Sequence, residues 1–256
     1  MRTKIIRLLV IILTASLTGC NSADKKLTKE MKANLARFKE VTLSSDLGWL
    51  SNNEKEIVGI LIDAASIMDD IFWMEAYGNK EELLSRIKNE YARDYVKIHY
   101  GPWDRLNNNV PFIPGSGEKL PGAQFYPADM TIKEFESWDD PEKTSLYTMV
   151  IRDSEGGLVT VPYSEAFKEQ HSKAAGLMLK ASELADDPGL SNYLKLRADA
   201  LLTNKYQPSD FAWMAMKNSN IDFVVGPIEN YEDQLFGYKA AHEAFVLVKD
   251  PVWSAQ

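Results

Sequence analysis

At 256 residues, with 45% hydrophobic and 26% charged side chains, the chain has the composition of a folded protein, which excludes disorder along most of its length. Its formal charge of −8 and its lack of a basic stripe remove the counterion release that drives nucleic-acid binding, so nucleic acid is excluded as a partner. Six Trp, 11 Tyr and 10 Phe supply a sizeable core, enough for one large domain or two small ones.

Met1-Arg-Thr-Lys-Ile-Ile-Arg7 is a short positive region, and Leu8 to Leu17 is an apolar run too short to span a bilayer as a stable helix. Leu17-Thr-Gly-Cys20 follows, then the polar run Asn21-Ser-Ala-Asp-Lys-Lys26. Small residues before a cysteine seat a signal peptidase, and the thiol offers a nucleophile to a diacylglyceryl group. The segment resembles the lipobox of bacterial lipoproteins, and Cys20 is the only cysteine of the chain. The alternative is an ordinary secretory signal with a chance cysteine. The resemblance implies a signal peptide over residues 1–19, cleavage before Cys20, lipidation there and a lipidated tether over 20–45. Asn21 after the lipidated residue implies the outer membrane, facing the periplasm. Loss of Arg2, Lys4 and Arg7 with the signal leaves the rest of the chain more acidic still. With no second cysteine, disulfides cannot staple the fold.

Residues 24 to about 46 are polar with a weak helical period at Leu27, Met31, Leu35 and Phe38. Ser51-Asn-Asn-Glu54 is a capping signal. It opens a helical spacing of Ile57, Ile60, Leu61, Ala64, Ile67, Met68, Ile71, Phe72 and Glu75, ended by Gly78. Glu81 to Tyr95 reads as one helix, and residues 100 to 129, rich in Gly, Pro and Asn, as an irregular connection. Thr144 to Arg152 and Leu158 to Pro162, flanking Asp153-Ser-Glu-Gly-Gly157, predict a β-hairpin. Helices are expected over Ser164 to Ala185, Leu190 to Leu202 and Ser209 to Met216. Ile221 to Val225 predicts a strand ending in a Gly226-Pro227 turn, and Lys239 to Lys249 fits a strand or a helix. The pattern is α+β, mostly helical with a β-hairpin and late strands, not alternating βαβ.

Catalytic motifs are missing. The histidines are His99, His171 and His242, none beside a suitable second ligand. After His242-Glu243, the positions where a zinc helix needs its second histidine hold Val246 and Leu247, so the pair is expected to be partly exposed on a strand or helix. There is no Gly-x-Ser-x-Gly elbow, and Gly115-Ser-Gly117 lacks the rest of a phosphate loop. The doublets Asp69-Asp70, Asp139-Asp140 and Asp186-Asp187 read as solvated surface, with Asp69-Asp70 the exception in interrupting an apolar helix.

Residues 220–237 stand apart. A hydrophobic strand runs to Gly226-Pro227, and Glu229 and Tyr231 follow at i and i+2, on one side of an extended segment. A carboxylate can pair with a peptide's α-ammonium, a phenol can hydrogen-bond its backbone, and a strand edge can take up its main chain. The alternative is a polar strand end carrying a surface acid.

Val225-Gly-Pro-Ile-Glu-Asn-Tyr-Glu-Asp-Gln-Leu-Phe-Gly237, followed by Lys239-Ala-Ala-His-Glu-Ala-Phe-Val-Leu-Val-Lys249, resembles the Gly-x-Ile-Glu-x-Tyr-x-Asp segment of the dipeptidyl peptidase III family of zinc peptidases. Met68-Asp-Asp-Ile-Phe-Trp73, Tyr100-Gly-Pro-Trp-Asp-Arg105, Phe125-Tyr-Pro-Ala-Asp-Met130, Val161-Pro-Tyr-Ser-Glu165 and Arg197-Ala-Asp-Ala-Leu-Leu202 are similar to bacterial members too. The resemblance runs from about residue 40 to the C-terminus. It implies part of a two-lobed peptidase that removes dipeptides from peptide N-termini. In that family zinc is held by His-Glu-x-x-Gly-His and Glu-Glu-x-Arg-Ala helices. Carried over, Glu229 holds the substrate ammonium and Tyr231 bonds the substrate backbone or the transition state.

Neither zinc motif occurs in these 256 residues, where Leu194-Lys-Leu-Arg-Ala198 is the nearest approach to the second. The expectation is therefore residues 46–256 as the N-terminal, peptide-gripping part of such an enzyme, with no catalytic or metal ligand of its own. Zinc is implied only for the complete protein. Its partners are peptide and, through Cys20, the membrane. The alternative is a non-catalytic peptide-binding or scaffolding lipoprotein.

Overall fold

A computed structural model describes residues 24–254; Cys20, with the lipid attachment expected there, lies outside them. In chain order, helix α1 covers 24–35, α2 Asn52–Ala76, α3 Lys80–Arg86 and α4 Glu90–His99. Strands β1 (Trp103–Asp104) and β2 (Val110–Pro111) precede α5 (Ile132–Ser137), a 3-10 turn at Pro141–Thr144, and strands β3 (Thr148–Arg152) and β4 (Leu158–Pro162). Helices α6 (Tyr163–Ala166), α7 (Lys168–Leu184), α8 (Pro188–Thr203) and α9 (Gln207–Ala215) follow, then β5 (Ile221–Glu229), β6 (Ala241–Val248) and α10 (Pro251–Ser254). The sheets of the described residues are antiparallel pairs, β1 with β2, β3 with β4 and β5 with β6. The class is α+β, as the sequence pattern predicts.

Two local expectations are corrected and one open alternative is decided. Glu81 to Tyr95 is two helices, because a second N-cap sits in mid-stretch: Asn79 accepts the Glu82 N–H, and Asn89 accepts the Ala92 N–H. The helix expected from Ser164 is interrupted at Phe167, a buried residue with non-helical φ −114° and ψ 28°. The segment left open between strand and helix is the strand β6.

The chain divides into two units. One joins residues up to Leu43 with Asn79–Lys119. Its α1 buries Met31 completely, and Asn89 Nδ2 donates to Thr28 Oγ1 at 2.6 Å. Tyr95 lies edge-on to Phe38, His99 and Phe112, and its hydroxyl donates to Asp104 at 2.9 Å.

The other unit joins Ser44–Gly78 with the chain from Leu120. The Ser51 and Glu54 capping box forms as the sequence predicts, with Ser51 N–H donating to Glu54 at 2.8 Å and Glu54 N–H to Ser51 at 3.2 Å. α2 turns one face inward, burying Ile57, Ile60, Leu61, Ala64, Met68 and Ile71, and packs on α7 and β6. Asp70 faces solvent and Asp69 is half-buried. α7 packs on α8, and α8 on α9 and β5. In the β3–β4 hairpin, Asp153 accepts the N–H groups of Glu155 and Gly157 at 2.9 and 2.8 Å, closing the turn that Gly156 makes at φ +87°.

Candidate functional site

The hydrophobic strand does not end at Gly226-Pro227. β5 alternates, burying Ile221, Phe223 and Val225, and continues through Gly226 and Pro227 to Glu229. Pro227 pairs with His242 and Glu229 with Ala241, so Ile228 is an extra residue, a β-bulge. A bulge re-aims the residues around it, and this one directs the strand end that carries Glu229. Glu229 is half-buried. Tyr231 lies beyond the strand in a turn, 56% exposed, and its hydroxyl donates to Glu243 Oε1 at 2.5 Å. The structure therefore brings Tyr231 to β6 by way of Glu243, and the two sequence-picked residues do not lie on one continuous strand.

The loop from Asn230 to Ala240 is organised by Asp233. Its buried carboxylate accepts the N–H groups of Leu235, Phe236, Tyr238 and Lys239 and the hydroxyl of Tyr126. Burial and that bond to Asp233 push the Tyr126 phenol well up. The fully buried Lys239 ammonium donates to Lys143 O, Ser145 O and Thr148 Oγ1 at 2.9, 3.0 and 2.8 Å. Burial pushes its pKa down to about 8, against the opposing pull of Asp233. These contacts hold the loop at both ends.

Beside Pro227 and Ile228 lies a cavity of about 310 Å³, lined by Tyr147, Tyr193, Arg197, Tyr206, Asp210, Trp213, Met214, Val224 and Val225 as well. Arg197 pairs with Asp210 and sits over the rings of Tyr193 and Tyr206, at 5.7 and 5.4 Å from their centroids. Trp213 is fixed by a 2.7 Å bond from its indole N–H to Asp222. Arg197 Nε and Tyr206 Oη are buried without a hydrogen-bond partner. The walls are mostly aromatic and aliphatic, and the Arg197–Asp210 pair is their charged part. The cavity's residues come from α8, α9, β5 and the segment before β3, too far apart in sequence to read as one motif.

His242 and Glu243, expected to be partly exposed together, are separated by the strand alternation: His242 is 1% exposed and Glu243 points to the other face. His242 Nδ1 lies 2.6 Å from Glu75 Oε1 and its backbone N–H donates to Glu75 Oε2 at 2.8 Å. His242 Nε2 lies 2.9 Å from His171 Nε2, and His171 Nδ1 2.8 Å from the Leu201 carbonyl. All three side chains are fully buried. Burial pushes both imidazoles down to about 3 and the Glu75 carboxyl well up. Among the described residues no group of three His, Cys, Asp or Glu side chains is arranged to hold a metal ion. The two imidazoles spend their facing nitrogens on each other, so zinc does not fit between them.

No family model matches the chain. It is 42% identical to the solved dipeptidyl peptidase III of Caldithrix abyssi, with a TM-score of 0.83, over 89% of this chain and 45% of that one. To dipeptidyl peptidase III of Corallococcus sp. strain EGB it is 32% identical, with a TM-score of 0.84 and the same shares. Among curated proteins it is 29% identical to Nudix hydrolase 3 of Arabidopsis thaliana, over 90% of this chain and 38% of that protein. The chain thus spans less than half the length of each of these three proteins, and over nearly all of its own length it is dipeptidyl peptidase III-like in fold and sequence.

Proposed function

We propose that this chain is the peptide-gripping part of a zinc-dependent dipeptidyl peptidase, anchored to the outer membrane through lipid on Cys20 and facing the periplasm. Glu229 pairs with the α-ammonium of a peptide laid along the end of β5, and Tyr231 hydrogen-bonds its backbone. The cavity beside Pro227 and Ile228 takes an apolar or aromatic side chain of the same peptide. Zinc, which activates water for attack on the peptide bond in such enzymes, comes from a metal-bearing portion that these residues do not include. The observation that carries this reading is the bulge at Ile228, which lines the cavity and is followed at once by the carboxylate of Glu229, the last residue of β5.

The test is calorimetric binding of Phe-Ala-Ala-Ala and its N-acetyl form to parent and Glu229→Ala. Loss of a charge-assisted bond weakens the free peptide by about 1.5–3 kcal/mol and leaves the acetylated one unchanged. Equal binding of both peptides by the parent rules out Glu229 as the ammonium site. Zinc content of the protein purified from its native cells, where a metal-bearing portion accompanies these residues under the first reading, separates it from a non-catalytic peptide-binding lipoprotein.

A further inference from the structure

Each contact along Glu75, His242, His171 and Leu201 needs one hydrogen. The Leu201 carbonyl can only accept, so His171 Nδ1 carries a proton. One proton lies between the two Nε2 atoms and one between His242 Nδ1 and Glu75 Oε1. Three protons on one carboxyl and two imidazoles make the chain neutral, wherever each proton sits. The least costly arrangement among fully buried side chains has no separated charge. Glu75 is then the acid, donating to His242 Nδ1, while His242 Nε2–H donates to His171 and His171 Nδ1–H to Leu201. The surroundings favour this form. The His242 ring packs against Tyr163 and Phe167, each 5.3 Å away between centroids, and Glu232 further disfavours a second anion at Glu75.

Opposite His242 stands Pro227, and the bulge follows at once. Beside this break in the ladder the buried N–H of His242 donates to the Glu75 carboxyl of α2. The same residue pair thus bounds the bulge on the β6 side, one pairing step from Glu229.

We propose that protonated Glu75, with His242 and His171, is a neutral brace that fixes β6 against the bulge of β5 and so aims Glu229 at a peptide's amino terminus. These are positioning residues, and the aim ascribed to them rests on the reading of Glu229 given above. Glutamine reproduces both bonds of the acid, its amide N–H donating to His242 Nδ1 and its oxygen accepting the His242 N–H. Alanine reproduces neither.

The experiment combines 15N spectroscopy of the histidine rings with binding of Phe-Ala-Ala-Ala and its N-acetyl form. In the parent at neutral pH, His242 Nδ1 is expected to resonate as an unprotonated nitrogen and Nε2 as a protonated one, both unchanged in Glu75→Gln. Glu75→Ala is expected to weaken the free peptide tenfold or more and the acetylated peptide hardly at all, with Glu75→Gln restoring the parent value within twofold. A doubly protonated His242 in the parent overturns the brace as a neutral one. Glu75→Gln binding the free peptide tenfold or more weaker than the parent overturns the positioning claim, and it does so even where Glu75→Ala fails to fold. If the parent itself binds both peptides alike, the Glu229 reading fails and the aim falls with it, while the nitrogen spectrum still reports the brace's proton.

Discussion

Tyr231 and Glu243 are joined across the β5–β6 connection, the phenol hydrogen resting on a carboxylate that stands opposite Gly226 in the ladder. That bond orients an otherwise exposed ring. Tyr231→Phe is expected to change unfolding free energy by less than about 1 kcal/mol, because both partners are open to water. Peptide affinity is expected to fall, and Glu243→Gln to reproduce part of that fall. A double-mutant cycle with the two substitutions reads the coupling; additive losses show that the pair does not act together.

Tyr206 presents the opposite case, a buried hydroxyl without a partner in the wall of the cavity. Tyr206→Phe removes an unsatisfied group and keeps the ring that packs on Tyr147 at 4.6 Å. A gain of about 1 kcal/mol in denaturant-unfolding stability is expected.

Lys239 is surrounded by two carbonyls and a hydroxyl, so Lys239→Met is expected to cost about 1–3 kcal/mol near neutral pH by leaving acceptors unmet. Its pKa falls to about 8 from 10.5 on folding, burial outweighing Asp233, Asp140 and Glu142. Between those values the unfolded chain holds a proton that the folded lysine has lost. This group's contribution therefore rises with pH from about 8 to about 10.5. The stability gap between parent and Lys239→Met should widen there by up to ~1.4 kcal/mol per pH unit.

The brace gives a contribution of the other sign. Glu75 keeps its proton when folded but loses it near 4.5 when unfolded, with burial the main cause and Glu232 adding to it; Tyr163 and Tyr206 also stand close and are themselves pushed up. Above about pH 4.5 the folded state binds one proton more, so the parent loses stability relative to Glu75→Gln as pH rises, by up to ~1.4 kcal/mol per unit. The imidazoles act on the acid side. Held near 3 instead of 6.5, they bind fewer protons than in the unfolded chain, so stability falls in both proteins as pH drops below about 6.5. Parallel urea titrations from pH 4 to 8 check both slopes; a constant gap between the two proteins means Glu75 is ionised.

Glu75 also shows what could be read from the sequence. The period that marks α2 places Glu75 in line with Ile67, Met68, Ile71 and Phe72, so its burial was legible even though its partner was not. The capping box at Ser51, the hairpin around Asp153 to Gly157 and the α+β class were legible as well, because each depends on neighbours in the chain. His171 and His242 looked isolated because they meet through tertiary packing, 71 positions apart. The bulge was hidden for another reason. Gly-Pro is the common signature of a turn, yet here Gly226 adopts φ +117° within a strand, with Tyr206 placed 3.4 Å from where a Cβ would be. The pocket was the least legible part, since Tyr147, Arg197 and Trp213 share no spacing that marks them as neighbours.

The single carboxylate of Asp233, holding four backbone N–H groups and a phenol, bears on how a ligand would meet this face. A surface loop normally gives up conformational freedom when something binds to it, and that loss subtracts from affinity. The loop after Glu229 has already given it up in folding. A peptide arriving at the end of β5 therefore meets a surface whose ordering cost was met when the chain folded, long before the encounter.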